Sequence, residues 1–164
     1  MRLILDQSNP KYFQGHLSAF FWGDPGSALL KLYIRESGSE AVHVQVVSQD
    51  LPLAIWEIQE AELINALRLK AFWKEISPEQ ADEQIALFQE RWKRGFFHFP
   101  ELNRTGLMET YRRLSAETPR LGCRTMDILH VSCAVQIGAS AFLTFDKRQA
   151  ELARFAGIPI LDLE

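Results

Sequence analysis

Cysteine is almost absent from this chain: 164 residues hold only Cys123 and Cys133. Two thiols cannot build a disulfide framework, and these two do not have zinc-site spacing. Both sit in apolar context, which predicts buried, reduced thiols and with them a cytoplasmic protein. No apolar run approaches the roughly 20 residues that a membrane-spanning helix needs, so no membrane is expected. The first residues lack a long apolar stretch and reach Asp6 early, so no secretory signal peptide is expected. Excess positive charge is missing too. The 18 Lys and Arg face 21 Asp and Glu, a net charge of −3. That argues against nucleic-acid binding by bulk charge, while leaving room for a local basic patch or a metal bridging to phosphate. No internal repeat or low-complexity tract is visible. What remains is ordinary globular composition, 47% apolar and 24% charged, in a length that suits one domain over residues 1–164.

Residues 120–160 organise the chain. They read helix, strand, helix, strand. Thr125 is a good N-cap type, and residues 126–137 are apolar almost all round, which predicts a helix buried on most faces. Gly138 ends it. Residues 141–145 form the short apolar run of a covered parallel strand, and a helix with Ala150, Leu152, Ala153 and Phe155 comes next. A last strand is expected over residues 158–161. Earlier in the chain, residues 2–5 predict a strand that ends at Asp6. Residues 9–26 are broken by Pro and Gly and are rich in Tyr, Phe and Trp, so they cannot be one helix. Residues 27–36 predict an amphipathic helix, and the alternation in residues 42–47 a second strand. A further helix is expected from about 54 to 75. Ser77-Pro78-Glu79-Gln80 is a capping box opening another. Residues 96–99 suit a short strand or an extended link, and residues 105–117 a further helix. Strands alternating with helices predict an α/β fold: a three-layer α/β/α domain with a mainly parallel central sheet of four to five strands.

Three acids stand at element boundaries. Asp6 and Asp146 each come directly after an apolar strand, and parallel strands deliver their C-terminal ends to one edge of a sheet, where α/β proteins place ligands. Asp127 opens the buried helix. Each has a plain structural reading as well: an Asp in a first turn complements the helix dipole, and Asp146 can cap the helix after it. Taken singly, the capping reading is favoured about two to one, because caps are far commoner than catalytic carboxylates. Together they make an oxygen-rich pocket in which carboxylates repel unless a cation is present. Hard oxygen ligands without a Cys or His cluster suit Mg2+, or Mn2+, rather than zinc.

The stretch RTMDILHVSCAVQIGASAFLTFDKRQAELARFAGI resembles the C-terminal half of PIN-domain proteins of the VapC toxin type. That family has an Asp in an R-[ST]-x-D-x-x-H helix start and another in a T-F-D strand end. AELINALRLKAFWKEIS, residues 61–77, is similar to the family's E-L-x-N-A-L segment and selects Glu62 from its neighbours Glu57 and Glu60, which periodicity does not do. SALLKLYIRESGSEA, residues 27–41, is similar to the segment directly after the family's first Asp. The resemblance covers nearly the whole chain, with one departure. Residues 9–26 separate Asp6-Gln7-Ser8 from Ser27-Ala28-Leu29 and read as an insertion after the first strand. Two acids therefore compete as first ligand. Asp6 ends an apolar run and keeps the D-x-S spacing. Asp24 lies near the Ser27 segment, but one residue out of register and in a turn-like context. The expectation is Asp6.

The resemblance implies a Mg2+-dependent endoribonuclease, the toxin of a type II toxin–antitoxin pair. Asp6, Glu62, Asp127 and Asp146 would be the catalytic metal ligands, with Ser8 and Thr144 in support. RNA would be held by Arg124, Lys147 and Arg148, with Lys93, Arg94, Arg112 and Arg113 further off; most of these read equally well as part of a solvated helix face. A small cognate antitoxin and a homodimer are the implied partners. His130 is assigned no chemistry, since a lone His in an apolar helix is usually a packed core residue. Two rival readings stand beside this one: a PIN-like binding or structural protein that has lost catalysis, and a DNA-directed nuclease of the same fold.

Overall fold

A computed structural model of the chain describes residues 20–22, 28–48 and 52–161. The strand expected over residues 2–5, with Asp6 and Ser8, lies outside the described residues. Seven α-helices and four short strands make up the regular structure among the described residues: β1 (Phe20–Trp22), α1 (Ser39–Val47), β2 (Leu53–Ala54), α2 (Glu57–Phe72), α3 (Pro78–Lys93), β3 (Phe97–His98), α4 (Arg104–Ser115), α5 (Thr118–Leu121), α6 (Thr125–Gln136), β4 (Ala141–Leu143) and α7 (Lys147–Phe155).

This corrects the expected fold class. The described residues are mostly helical, and no strand among them is longer than three residues. A three-layer domain around a broad central sheet of four to five strands is not what they form. The strands pair in parallel in the order β3-β2-β1-β4, but over one to three positions each. The strand expected over 158–161 is reduced to one bridge between Phe142 and Ile160. Pairing this short cannot make a layer, so helix-on-helix packing carries the fold, chiefly α2 on α3 and α4 on α6.

Local signals explain where the helices begin. In the capping box of α3, Ser77 Oγ accepts from the Gln80 amide at 3.2 Å, and Gln80 Oε1 accepts from the Ser77 amide at 2.8 Å. Asn103 Oδ1 caps α4 by accepting from the amides of Thr105 and Gly106. Two other expectations fail. Residues 42–47 are not a strand but the body of α1. Val42 and Val46, one helical turn apart, are buried, while Val44 and Val47 face out. Alternating valines fit either period; the helix wins because Gly38, at φ 83°, starts it in a left-handed conformation that glycine adopts without a steric penalty. The helix expected over 27–36 is only a 3-10 turn at Leu30–Leu32. Ala28, Leu29, Leu30, Leu32 and Tyr33 are all buried, and a two-faced helix cannot bury nearly consecutive residues.

Side chains divide into two apolar clusters. Leu29, Ile55, Leu63, Leu67, Phe88, Phe97 and Leu143 belong to one. Ala54, Trp56, Leu114, Ile128, Val131, Phe142 and Leu152 belong to the other. Neighbouring strand residues, Leu53 and Ala54 or Phe142 and Leu143, go to opposite clusters, as strand alternation requires. Among the described residues, no helix is long and apolar enough to cross a membrane.

Candidate functional site

β4 ends at Leu143, and the chain turns at once into α7 through Thr144, Phe145 and Asp146. Asp146 is the N-cap of α7: its Oδ1 accepts from the amides of Arg148 at 2.7 Å and Gln149 at 3.1 Å. Asp127 serves the start of α6 in a similar way, its Oδ2 accepting from the Arg124 amide at 2.7 Å. Arg124, not Thr125, is the N-cap residue. Both acids therefore do the structural work that a first-turn carboxylate can do. A carboxylate has about four acceptor positions, so capping does not exhaust either group.

The two Asp side chains share a neighbour. Burial raises the Cys123 thiol pKa, and the charges of Asp127 and Asp146 raise it further against Arg148 and Arg120. Cys123 Sγ donates to the Arg148 carbonyl at 3.4 Å, and Arg148 Nη1 donates to the Gly122 carbonyl at the same distance. These contacts tie the loop before α6 to the start of α7. They place Arg124, Lys147 and Arg148, all exposed, at the two acid-bearing helix starts. Of the more distant bases, Arg94 is paired with Glu90 on α3, and Arg112 and Arg113 lie in the last turn of α4.

Glu62 comes in from α2. Its Oε2 lies 2.9 Å from His130 Nε2, across 68 positions of sequence. His130 is 1% exposed. Its Nδ1 lies 3.4 Å from Gln149 Nε2, and Gln149 Oε1 accepts from the Thr144 hydroxyl at 2.6 Å. Thr144 Oγ in turn accepts from the Asp146 amide at 3.1 Å. Four hydrogen-bond contacts thus link the Asp146 backbone to the Glu62 carboxylate by way of Thr144, Gln149 and His130, whose ring presents one nitrogen to each of its two partners. The Trp56 ring stands edge-on to His130 at 6.1 Å.

The described candidates are thus linked by one hydrogen-bonded line, Asp146 with Glu62 through Gln149 and His130, while Asp127 and Asp146 both act by charge on the Cys123 thiol. Among the described residues, no three His, Cys, Asp or Glu side chains form a group able to hold a metal ion. Asp6, Ser8 and Asp24 lie outside the described residues. Sequence reasoning set His130 aside and did not consider Gln149. A signal was present: His130 is a polar residue in an apolar stretch, and both lie three residues after a candidate acid, Asp127 or Asp146.

The 28–48 segment reaches the same corner. Lys31 Nζ lies 4.8 Å from the centre of the Phe145 ring, and a Cβ added to Gly38 would sit 3.2 Å from that ring. No known family model matches this chain, and no curated protein matches it.

Proposed function

We propose that this chain is a metal-dependent endoribonuclease of the PIN type, the toxin of a toxin–antitoxin pair. The supporting observation is the junction of β1 and β4. These strands are parallel neighbours, with Trp22 opposite Leu143. Asp24 comes two residues after the end of β1 in sequence, and Asp146 three after the end of β4. Parallel strands present ligands at their C-terminal edge, and Asp24 follows β1 in sequence as Asp146 follows β4, so Asp24 competes with Asp6 as the first acid. The proposed ligand set is Asp24, Glu62, Asp127 and Asp146, with Asp6 as the alternative first acid.

The donors fit a hard cation. They are all carboxylates, and the nearby imidazole has both ring nitrogens engaged, by Glu62 and Gln149. Oxygen donors of this kind suit Mg2+ or Mn2+. When bound, the ion supplies charge neutralisation at the scissile phosphate and a water of lowered pKa. The chain's own residues do the rest. Glu62, Asp127 and Asp146 would each offer it a carboxylate, with the first acid needed to complete the set, since these three do not close into one metal-holding group by themselves. Arg124, Lys147 and Arg148 bind phosphate oxygens of the RNA, and Thr144 fixes the turn that presents Asp146. A small antitoxin, a homodimer and a cytoplasmic location belong to this proposal by the same resemblance.

The test is cleavage of labelled single-stranded RNA, with single-stranded DNA offered in parallel, in Mg2+ and in EDTA. RNA should be cut only with the metal, leaving 5′-phosphate and 3′-hydroxyl ends. Asp127→Asn and Asp146→Asn should each abolish cutting while the protein stays folded. Loss with Asp24→Asn and retention with Asp6→Asn would establish Asp24 as the first acid, and the reverse would restore Asp6. RNA cleavage that is equal in EDTA, or absent in Mg2+ and again when Mn2+ replaces it, sinks the reading.

A further inference from the structure

The nuclease reading gives His130 and Gln149 no part, yet both are buried and both are engaged in one hydrogen-bonded line. We propose that His130 is a positioning residue: together with Gln149 and Thr144 it fixes the Glu62 carboxylate relative to Asp146, and so presets the distance between two metal ligands carried on different helices. This inference rests on the metal-site reading above.

Gln149 is the hub of the arrangement. Its backbone amide donates to Asp146 Oδ1 at 3.1 Å, and its side-chain amide reaches His130 at 3.4 Å. Its carbonyl oxygen takes the Thr144 hydroxyl at 2.6 Å, and Thr144 takes the Asp146 amide. One residue therefore holds Asp146 through its main chain and Glu62 through His130. Glu62 sits on α2, whose residues Leu63 and Leu67 pack into the opposite apolar cluster from α6 and α7. Apolar packing does not prescribe a side-chain torsion, whereas a hydrogen bond from a fixed ring does. The line also separates Glu62 from its neighbours. Glu57 is exposed, and Glu60, whose pKa is raised by burial and by Glu57, shows no bond to this network. A buried polar chain whose members are each held on two sides restricts where Glu62 can place its carboxylate, because moving one member breaks the contacts of its neighbours.

The experiment measures Mn2+ binding calorimetrically on metal-free full-length protein, with folding checked in EDTA by circular dichroism. Outer partners of metal ligands typically alter affinity about 10–100-fold, so His130→Leu and Gln149→Leu should each weaken Mn2+ binding by about that factor. His130→Gln carries an amide that can donate from nearly the position of Nε2, and it should restore most of the loss. In a Glu62→Gln background, His130→Leu should cause no further loss, because its effect passes through Glu62. Wild-type Mn2+ affinity in folded His130→Leu overturns the proposal, and so does an undiminished second loss in the Glu62→Gln background. Should His130→Leu fail to fold, Thr144→Val and Gln149→Leu decide by the same affinities. A wild-type protein that binds no Mn2+ removes the metal site and this inference with it. A protein that binds Mn2+ but cuts no RNA removes the nuclease reading alone, and the affinities still decide the role of His130.

Discussion

The two apolar clusters of this protein are built differently. The cluster of Leu29, Ile55, Leu63, Leu67 and Phe88 is filled by hydrocarbon and aromatic rings, with Phe88 packed 5.1 Å from Phe97 and 6.1 Å from Tyr33. Burial there pushes the Tyr33 hydroxyl up to about 12 even with Arg91 opposing the shift. The other cluster, around Trp56, Val131, Phe142 and Leu152, lies against His130 and Gln149, both on its helices and both joined in the line to Glu62. Dry packing stabilises in proportion to the area and volume it fills, and it tolerates swaps that conserve volume. A hydrogen-bonded line adds little net stability but selects one geometry, since each member is directional. The first cluster therefore serves stability, the second position.

Truncation should separate the two most sharply. Phe88→Ala empties a fully buried ring site and should cost about 3–5 kcal/mol in urea unfolding, without changing the Mn2+ affinity of the molecules that remain folded. His130→Leu should cost less, about 1–3 kcal/mol from partners left unsatisfied, while weakening Mn2+ binding. If Phe88→Ala weakens the metal more than His130→Leu does, the division of labour between the clusters is wrong.

A smaller effect sharpens the comparison at Asp146. Asn caps a helix about as well as Asp, so Asp146→Asn should leave the denaturant midpoint nearly unchanged, whereas Asp146→Ala should lose about 1 kcal/mol. RNA cleavage should be lost in both. Equal activity in Asp146→Asn and wild type would reduce Asp146 to a cap.

The smallest effect lies at the edge of the dry cluster. Burial raises the Glu36 pKa, but hydrogen bonds and charge from Lys70 and Lys31 outweigh it and hold the carboxyl below its ordinary value. Such a group stabilises the fold above its unfolded pKa, and that contribution is lost as pH falls through the folded pKa. Lys70 behaves oppositely. Its pKa is raised, first by the hydrogen bond to Glu36, so its contribution is present below the unfolded lysine value and lost as pH rises through the folded one. Glu36→Gln should flatten the acid limb of the melting temperature by less than about 1 kcal/mol of stability, since the group is partly solvated. An acid limb unchanged by Glu36→Gln would show that the Lys31, Lys70 and Glu75 contacts hold this corner without it.

Helices with strong local signals were legible in the sequence. The capping box at Ser77 gave the start of α3, and the apolar run after Arg124 gave α6 within a residue at each end. The strand expected over 141–145 was legible at its start, though it ends at Leu143. The failures share a cause. Residues 42–47 and 27–36 are short and ambiguous in period, so long-range packing and the left-handed Gly38 decided them. β1 was missed because three aromatic residues beside Gly and Pro read as a break; they pair with β2 and β4, partners more than thirty and more than a hundred residues away.

By itself the sequence determined the residue types available for chemistry: carboxylates at the starts of α6 and α7, a Glu in α2, and bases beside the two Asp. It determined these because caps and helix starts are local, set by contacts within three or four residues. Only the tertiary structure decided which of them meet. It chose Glu62 over Glu57 and Glu60 as the partner of His130, and it turned Gln149 into the link between that pair and Asp146. It also placed β1 against β4, a pairing that no local signal announces. The reason is physical. A hydrogen bond across 68 positions depends on how helices pack, and helix packing is set by the whole apolar interior rather than by the residues that use it.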